Sequence, residues 1–511
     1  MPDPFAFLPS RVEGDALDVA PLIRHRLTRG GTQVLMVFEG QPHTCDDMAV
    51  MVSACCAALE KRGLRRGDRV AVMLGNSPEH VALVYALIMS GLIWIPINTK
   101  LRADSLSYIL DHAKPALLVT EEAFSSALLP HTVPGAEVRE LFGVIGTGLP
   151  ALALSHAETL CIIYTSGTTG APKGVLFTHR MMRVAAESVL LVAGIEAGNK
   201  VFLWEPLCHI GGAQMLLVPF LVPATIFLVE RFSASRFWSQ WTASGATHLH
   251  YLGGILDILS RLPPEAQPAG ASVRVAWGAG IAASSWDAIR TRLGCELREC
   301  YGMTECSSFA TFNASGKPGS IGRPLPWFTL ELLGEDGTPA PPGSTGEIVL
   351  SSQLEGVFLA GYLDNPEATA RTLRGGRLHT GDMAWQDVDG DYVFVGRRVD
   401  AMRVRGENVS AWEVERVFAN HPAVEASAAI GVKSDIGEQD ILLHVQFKPG
   451  ASVDWPELAA WSAERLASFQ QPRFFRAIDQ FPLTPSQRIR KHLLPRDLDG
   501  AWDRLQSSGG L

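Results

Sequence analysis

The segment Tyr164-Thr-Ser-Gly-Thr-Thr-Gly-Ala-Pro-Lys-Gly174 packs three glycines, four Ser/Thr hydroxyls and one lysine into a single short stretch. Gly167, Gly170 and Gly174 leave their backbone N–H groups uncrowded, and Thr165, Ser166, Thr168 and Thr169 add hydroxyl donors. Lys173 supplies a mobile positive charge. Those are the parts that cradle a polyphosphate. The common P-loop is excluded, because its lysine is followed by Ser or Thr whereas Lys173 is followed by Gly174. The alternative is a polar turn after the strand-like run Leu160-Cys-Ile-Ile163.

Two further clusters could act on the same kind of ligand. In Tyr301-Gly-Met-Thr-Glu305, Thr304 and Glu305 offer the hard oxygens that Mg²⁺ accepts beside phosphates. In Thr380-Gly-Asp382 a carboxylate follows a glycine that leaves room, an arrangement suited to gripping the two hydroxyls of a ribose. Read singly, the first could be a strand-end polar pair and the second a surface carboxylate. His209, beside Gly211 and Gly212, reads as a site residue, with ordinary packing the alternative.

The elements that must position these residues alternate. Short apolar runs at Arg69–Leu74, Leu92–Ile97, Ala116–Val119, Leu160–Ile163, Val201–Leu203, Thr225–Val229 and Val273–Ala276 read as buried strands. Helical patterns at Glu79–Ser90, His179–Val192 and Ser284–Leu293 separate them. This predicts an α/β fold with mostly parallel sheets and helices on their faces. After about Pro318 the runs Phe328–Leu333 and Gly346–Leu350, parted by Gly/Pro/Asp-rich turns, predict an antiparallel β subdomain. A small α+β domain follows Gly390–Arg398. The expected division is 1–396, a hinge at 397–400 and a mobile domain at 401–511.

The chain has 511 residues, too many for one ordinary core, with 47% hydrophobic and 19% charged residues. A formal net charge of −9 gives no basic footprint for nucleic acid. No signal peptide is visible, and apolar stretches such as Val81–Ile97 fall short of the roughly 20 residues of a membrane span. Eight scattered cysteines without a C-x-x-C pair read as buried thiols in a reducing cytoplasm, rather than as disulfides or a zinc site.

Taken in order, these motifs resemble the AMP-forming adenylating enzymes, a family that includes acyl-CoA synthetases, carrier-protein adenylation domains and beetle luciferases. The resemblance spans nearly the whole chain. It implies that Thr165–Gly170 and Lys173 hold the phosphates of ATP or of an acyl-AMP. The ring of Tyr301 would lie near adenine, with Gly278, Ala279, Gly280, Gly302 and Met303 around the nucleotide and Thr304 on the α-phosphate. Asp382 and Arg397 would take the ribose, and Thr168 and Glu305 would hold Mg²⁺. Pro206-Leu-Cys-His209 is similar to the segment that divides the nucleotide from the acyl pocket, for which Trp204, His209, Gly211, Gly212, Trp277 and Cys306 are candidates. The implied reaction has two halves: a carboxylate attacks the α-phosphate to give acyl-AMP, and then coenzyme A displaces AMP. Arg403-Val-Arg-Gly-Glu-Asn-Val409 is similar to the face that enters for the thiol step, with Arg403, Arg405, Gly406 and Glu407 toward coenzyme A.

One segment departs from the pattern. Family members typically carry Pro-x-Thr-x-x-Gly-Lys near the C-terminus, its lysine bridging the carboxylate and the α-phosphate. This chain reads Pro482-Leu-Thr-Pro-Ser-Gln-Arg488-Ile-Arg-Lys491. Arg488 keeps the charge but exchanges a compact ammonium for a planar fork, and Gln487 forgoes the backbone freedom of glycine. Either Arg488 or Lys491 serves adenylation, or the enzyme only converts preformed acyl-AMP to thioester with a separate adenylating partner. Loading of a carrier protein is a further alternative. An amino-acid substrate is disfavoured, because Trp204–Met215 carries no aspartate and only Glu205. The apolar, small-residue pocket candidates point instead to a bulky hydrophobic carboxylic acid. The resemblance also suggests a homodimer.

Overall fold

The computed structural model describes residues 18–125, 133–165, 171–281, 283–334, 336–397, 401–434, 437–451, 453–482, 489 and 491–506. Side chains are not described at 103, 104, 125, 253, 257, 284, 397, 401, 408, 410, 412, 416 and 492. The chain falls into two compact units. The larger takes in the residues up to Thr99, Ala113–Tyr164 and Gly174–Gly396. The smaller takes in Lys100–His112, Thr165–Lys173 and the residues from Arg397 onward.

In the larger unit two sheets have parallel centres. One runs Gly135–Glu137, Leu117–Thr120, Arg69–Met73, Ile93–Pro96, Thr159–Thr165 and Lys173–Thr178 in spatial order. Its first five strands are parallel neighbours. The second has a parallel centre in the order Glu296–Met303, Val275–Ala279, His248–Leu252, Lys200–Leu203, Thr225–Leu228 and Val34–Phe38. Antiparallel strands Ser308–Phe312 and Gln41–Thr44 flank that centre. Parallel strands covered on both faces are apolar throughout rather than alternating, which is why their runs stand out in sequence. The helices between them have local signals of their own. Ser77 accepts from the His80 N–H ahead of Pro78–Met89, and Thr178 accepts from the Met181 N–H ahead of His179–Ala193, which Gly194 ends in the left-handed region.

The sequence boundaries shift at two places. The strand expected at Val273–Ala276 runs Val275–Ala279, so Gly278 and Ala279 belong to the strand and not to the loop after it. The helix expected from Ser284 begins at Trp286, after a 3₁₀ turn at Ala283–Ser285. Strands at His248–Leu252 and Glu296–Met303 escaped the pattern reading because polar His248, His250, Glu296, Arg298 and Glu299 interrupt them. An antiparallel sheet of Phe328–Leu333, Gly346–Ser352 and Arg377–Gln386 follows.

The smaller unit contains a hairpin, Ala401–Val404 with Glu407–Ser410. Its main sheet orders Val424–Lys433, Gln439–Phe447, Phe474–Ala477 and Trp502–Asp503. Arg473 ties this sheet together through Asp440 at 2.8 Å and Asp503 at 3.1 Å. All eight cysteines are free thiols, and all but Cys208 are buried. Among the described residues, no helix is long and apolar enough to cross a membrane.

Candidate active site

Glu296–Met303 carries the start of the Tyr301–Glu305 motif and Ser308–Phe312 returns beside it, with a register shift between Tyr301 and Gly302. The glycine at the shift is obligatory: a Cβ on Gly302 would lie 1.8 Å from the Ser308 carbonyl oxygen. The intervening turn, Thr304–Cys306, leads into Ser307 and Ser308 at φ 58° and 80°, unfavourable values for residues with a Cβ. Ser307 Oγ donates to the Val357 carbonyl at 2.6 Å, and Cys306 Sγ donates to the Met303 carbonyl at 3.3 Å, which fixes the turn. Thr304 and Glu305 are thereby buried. Tyr362 Oη donates to Glu305 Oε1 at 2.8 Å.

Asp382 sits in a similar irregularity. The ladder between Gly346–Ser352 and Arg377–Gln386 shifts register between Glu347 and Val349, and Gly381 turns the chain at φ 72°. Thr380 Oγ1 donates to the Ile348 carbonyl at 2.8 Å and accepts from the Asp382 N–H at 3.1 Å. Tyr301 Oη donates to Asp382 Oδ2 at 2.7 Å, joining motifs 81 residues apart. Burial, with the Asp382 charge second, holds the Tyr301 phenol well above its ordinary value. The Phe394 ring lies 5.9 Å from that of Tyr301, a contact the sequence did not signal.

Gly278, Ala279 and Gly280 approach the same region along the neighbouring strand. A Cβ on Gly278 would meet the Tyr251 carbonyl oxygen at 1.9 Å. Glu299, unremarked in the sequence, organises the turn: its Oε1 accepts the Gly280 N–H at 2.5 Å and the Ile281 N–H at 3.3 Å. Its Oε2 accepts Tyr251 Oη at 2.5 Å. Burial outweighs these donors and pushes the Glu299 carboxyl up to about 7.

Of the acyl-pocket candidates, Trp204, Trp277 and Cys306 are all buried. His209 caps the short helix Ile210–Ala213, with its Nε2 3.4 Å from Asn98 Nδ2. Gly212 is required by close approach, since a Cβ would lie 2.5 Å from the Pro206 carbonyl oxygen. The region is not uniformly apolar as expected. Glu205 is buried with its Oε2 hydrogen-bonded to Nδ1 of buried His250, a partner 45 residues away that the sequence reading overlooked.

In the smaller unit, Arg405 and Gly406 form the two-residue tip of the hairpin at φ 51° and 79°. Both values are positive, the type I′ geometry that suits strand twist. Arg405 is exposed, Arg403 is half-buried, and the Gly406 N–H donates to Glu438 Oε2 at 2.8 Å. Glu407 is buried, with Lys100 Nζ 3.5 Å from its Oε1. Lys491 Nζ pairs with Glu415 Oε1 at 2.6 Å, and that oxygen also accepts the Ala429 N–H at 2.7 Å. Thr165 and Lys173 bracket the phosphate-loop candidate. Ser166, Gly167, Thr168, Thr169, Gly170 and Arg488, with hinge residues 398–400 and the Arg397 side chain, lie outside the described part of the structure.

The larger unit thus carries a buried tyrosine–aspartate hydrogen bond beside a buried carboxylate turn on a two-sheet α/β scaffold. The chain belongs to the AMP-binding enzyme family: the family model matches residues 23–363, and that of the AMP-binding enzyme C-terminal domain matches 413–488. The chain is 32% identical to the sulfoacetate–CoA ligase of Cupriavidus necator, over 84% of this chain and 87% of that protein. It is 30% identical to the crotonobetaine/carnitine–CoA ligase of Salmonella arizonae, over 84% and 88%. A double mutant of the o-succinylbenzoate CoA synthetase of Bacillus subtilis, bound to a product analogue, superposes with a TM-score of 0.85 at 26% identity, covering 93% of this chain and 98% of that one. The same enzyme in complex with ATP and magnesium ion gives a TM-score of 0.70 at 25% identity, with 93% and 98% covered. The protein is an acid–thiol ligase of the AMP-forming acyl-CoA synthetase type.

Proposed function

We propose that the enzyme converts a hydrophobic carboxylic acid to its coenzyme A thioester through acyl-AMP. The observation that carries the nucleotide half is the Tyr301–Asp382 hydrogen bond, which brings the aromatic and the carboxylate into one buried place beside Thr304 and Glu305. In this reading Thr165, Lys173 and the loop 166–170 hold the phosphates, with Thr304 on the α-phosphate. Asp382 and Arg397 take the ribose, and Gly278–Gly280 with Gly302 and Met303 border the base.

One carboxylate with substrate phosphate oxygens and waters is a donor set that Mg²⁺ accepts, and buried Glu305 suits it. Glu305 and Thr168 would hold the ion, which would offset negative charge on the phosphates. Trp204, His209, Gly211, Gly212, Trp277 and Cys306 border the acid. The Arg405–Gly406 tip, with Arg403 and Glu407, meets coenzyme A: the exposed guanidinium suits its phosphates, and the glycine lets the thiol arm pass close to backbone. The buried thiols fit a reducing cytoplasm.

A second reading limits the enzyme to thioesterifying preformed acyl-AMP, or to loading a carrier protein. It is favoured by Arg488 at the usual lysine position and by the engagement of Lys491 with Glu415. Two assays separate the readings. Acid-dependent pyrophosphate release from ATP over a panel of hydrophobic acids supports the complete ligase. Acyl-CoA formed from synthetic acyl-AMP without pyrophosphate release would establish the half-reaction alone. Failure of both assays overturns the proposal.

A further inference from the structure

Beside the acyl-pocket candidates lies a buried carboxylate–imidazole pair that the two half-reactions do not use. Glu205 and His250 are each 4% exposed, far below what these residue types usually show. Each is braced through its backbone. Asn76 Nδ2 donates to the Glu205 carbonyl at 2.9 Å, and Trp204 Nε1 donates to the His250 carbonyl at 2.8 Å. The imidazole lies 5.2 Å from the Trp277 ring and 5.9 Å from the Phe309 ring. A Cβ on Gly211 would come within 2.7 Å of Glu205 Oε1 and 2.8 Å of Oε2, so the carboxylate fills the space that a side chain there would occupy. The inner atoms of the pair, Nδ1 and Oε2, bond each other. The outer atoms, Glu205 Oε1 and His250 Nε2, have no hydrogen-bond partner among the described residues.

We propose that Glu205 and His250 read a hydroxyl group carried by the acid away from its carboxylate, so that the substrates are hydroxylated hydrophobic acids rather than plain hydrocarbon ones. The inference rests on the acyl-CoA ligase reading above. Glu205 Oε1 can only accept while ionised, whereas an imidazole nitrogen donates or accepts according to its proton. A hydroxyl both donates and accepts, so it satisfies both outer atoms when Nε2 carries a proton, donating to Oε1 and accepting from Nε2–H, and one of them when Nε2 does not. A methyl group satisfies neither and would leave a buried pair facing hydrocarbon, the costly case. An anionic group would meet the Glu205 carboxylate at close range. The rings of Trp277 and Phe309 supply the apolar walls for the rest of the acid.

The test uses the full-length enzyme with matched acids: decanoate against 10-hydroxydecanoate, and 3-phenylpropanoate against 3-(4-hydroxyphenyl)propanoate. Each is offered both as free acid with ATP and coenzyme A, and as synthetic acyl-AMP with coenzyme A. The hydroxylated member of at least one pair is expected to lead in kcat/KM by about 10²-fold. In the double variant Glu205→Leu/His250→Leu that ratio is expected to collapse to near one or to invert. Glu205→Gln, which keeps the shape, is expected to retain part of it. Wild-type enzyme that prefers the unsubstituted acids overturns the proposal. So does a double variant that loses thermal stability yet keeps the ratio, because the pair would then only brace the Glu205–Gly212 segment. Absence of product from every acid and every acyl-AMP would instead remove the ligase reading beneath it.

Discussion

Glu299 shows how a single side chain can couple the Gly280–Ile281 turn to pH. Its carboxyl is raised by burial to about 7, from an unfolded value near 4.5. A group raised in this way contributes stability that is complete below the unfolded value and is lost as pH rises through the folded one. Relative to Glu299→Gln, the wild type is therefore expected to lose on the order of 3 kcal/mol between about pH 4.5 and pH 7.5. Melting temperatures of the two proteins at matched pH values will reveal this, and parallel profiles would refute it. The Tyr301–Asp382 bond makes a second prediction. Asp382→Ala strands a buried phenol and removes the carboxylate proposed to take the ribose, so a stability loss of about 1–3 kcal/mol should accompany a raised KM for ATP. Asp382→Asn keeps an acceptor for Tyr301 and should recover the stability but not the KM. Calorimetry alongside initial rates distinguishes the two effects.

At the scale of elements, the site rests on departures from regular structure. Register shifts beside Gly302 and Glu347 aim Thr304–Glu305 and Asp382, and irregularities of this kind recur where ladders must re-aim side chains. The hairpin tip is the counterpart in the smaller unit. Gly406 at φ 79° resists a Cβ, so Gly406→Ala is expected to cost about 1 kcal/mol or more locally. It should slow conversion of acyl-AMP to acyl-CoA while leaving pyrophosphate release near the wild-type rate. Equal slowing of both steps would count against a thiol-step role for the hairpin. The elements most legible in sequence were the uninterrupted apolar strands. Those carrying the polar residues of the site, His248–Leu252 and Glu296–Met303, were the ones pattern reading missed. Buried Glu299 and His250 break an apolar run just as a loop would, and only their partners reveal them as core.

For the whole molecule, Arg488 and Lys491 are the two candidate cations for adenylation. Arg488→Ala is expected to lower acid-dependent pyrophosphate release by on the order of 10²–10³ while acyl-AMP still yields acyl-CoA. Arg488→Lys should restore or raise release, and Lys491→Ala identifies the Glu415-bound lysine as the alternative if it alone abolishes release. Sequence by itself determined the family, because backbone-dominated phosphate and turn chemistry needs particular residue types at fixed local spacing. The glycines at 302 and 406, the adjacent Thr304–Glu305 and the Gly381–Asp382 step are all of that short-range kind. Only the tertiary structure decided which distant groups meet: Tyr301 with Asp382, Glu299 with Tyr251, and Glu205 with His250. The last two pairs lie along one sheet with a parallel centre and the first joins two different sheets, and in both cases the partners lie tens of residues apart, so no local pattern records them.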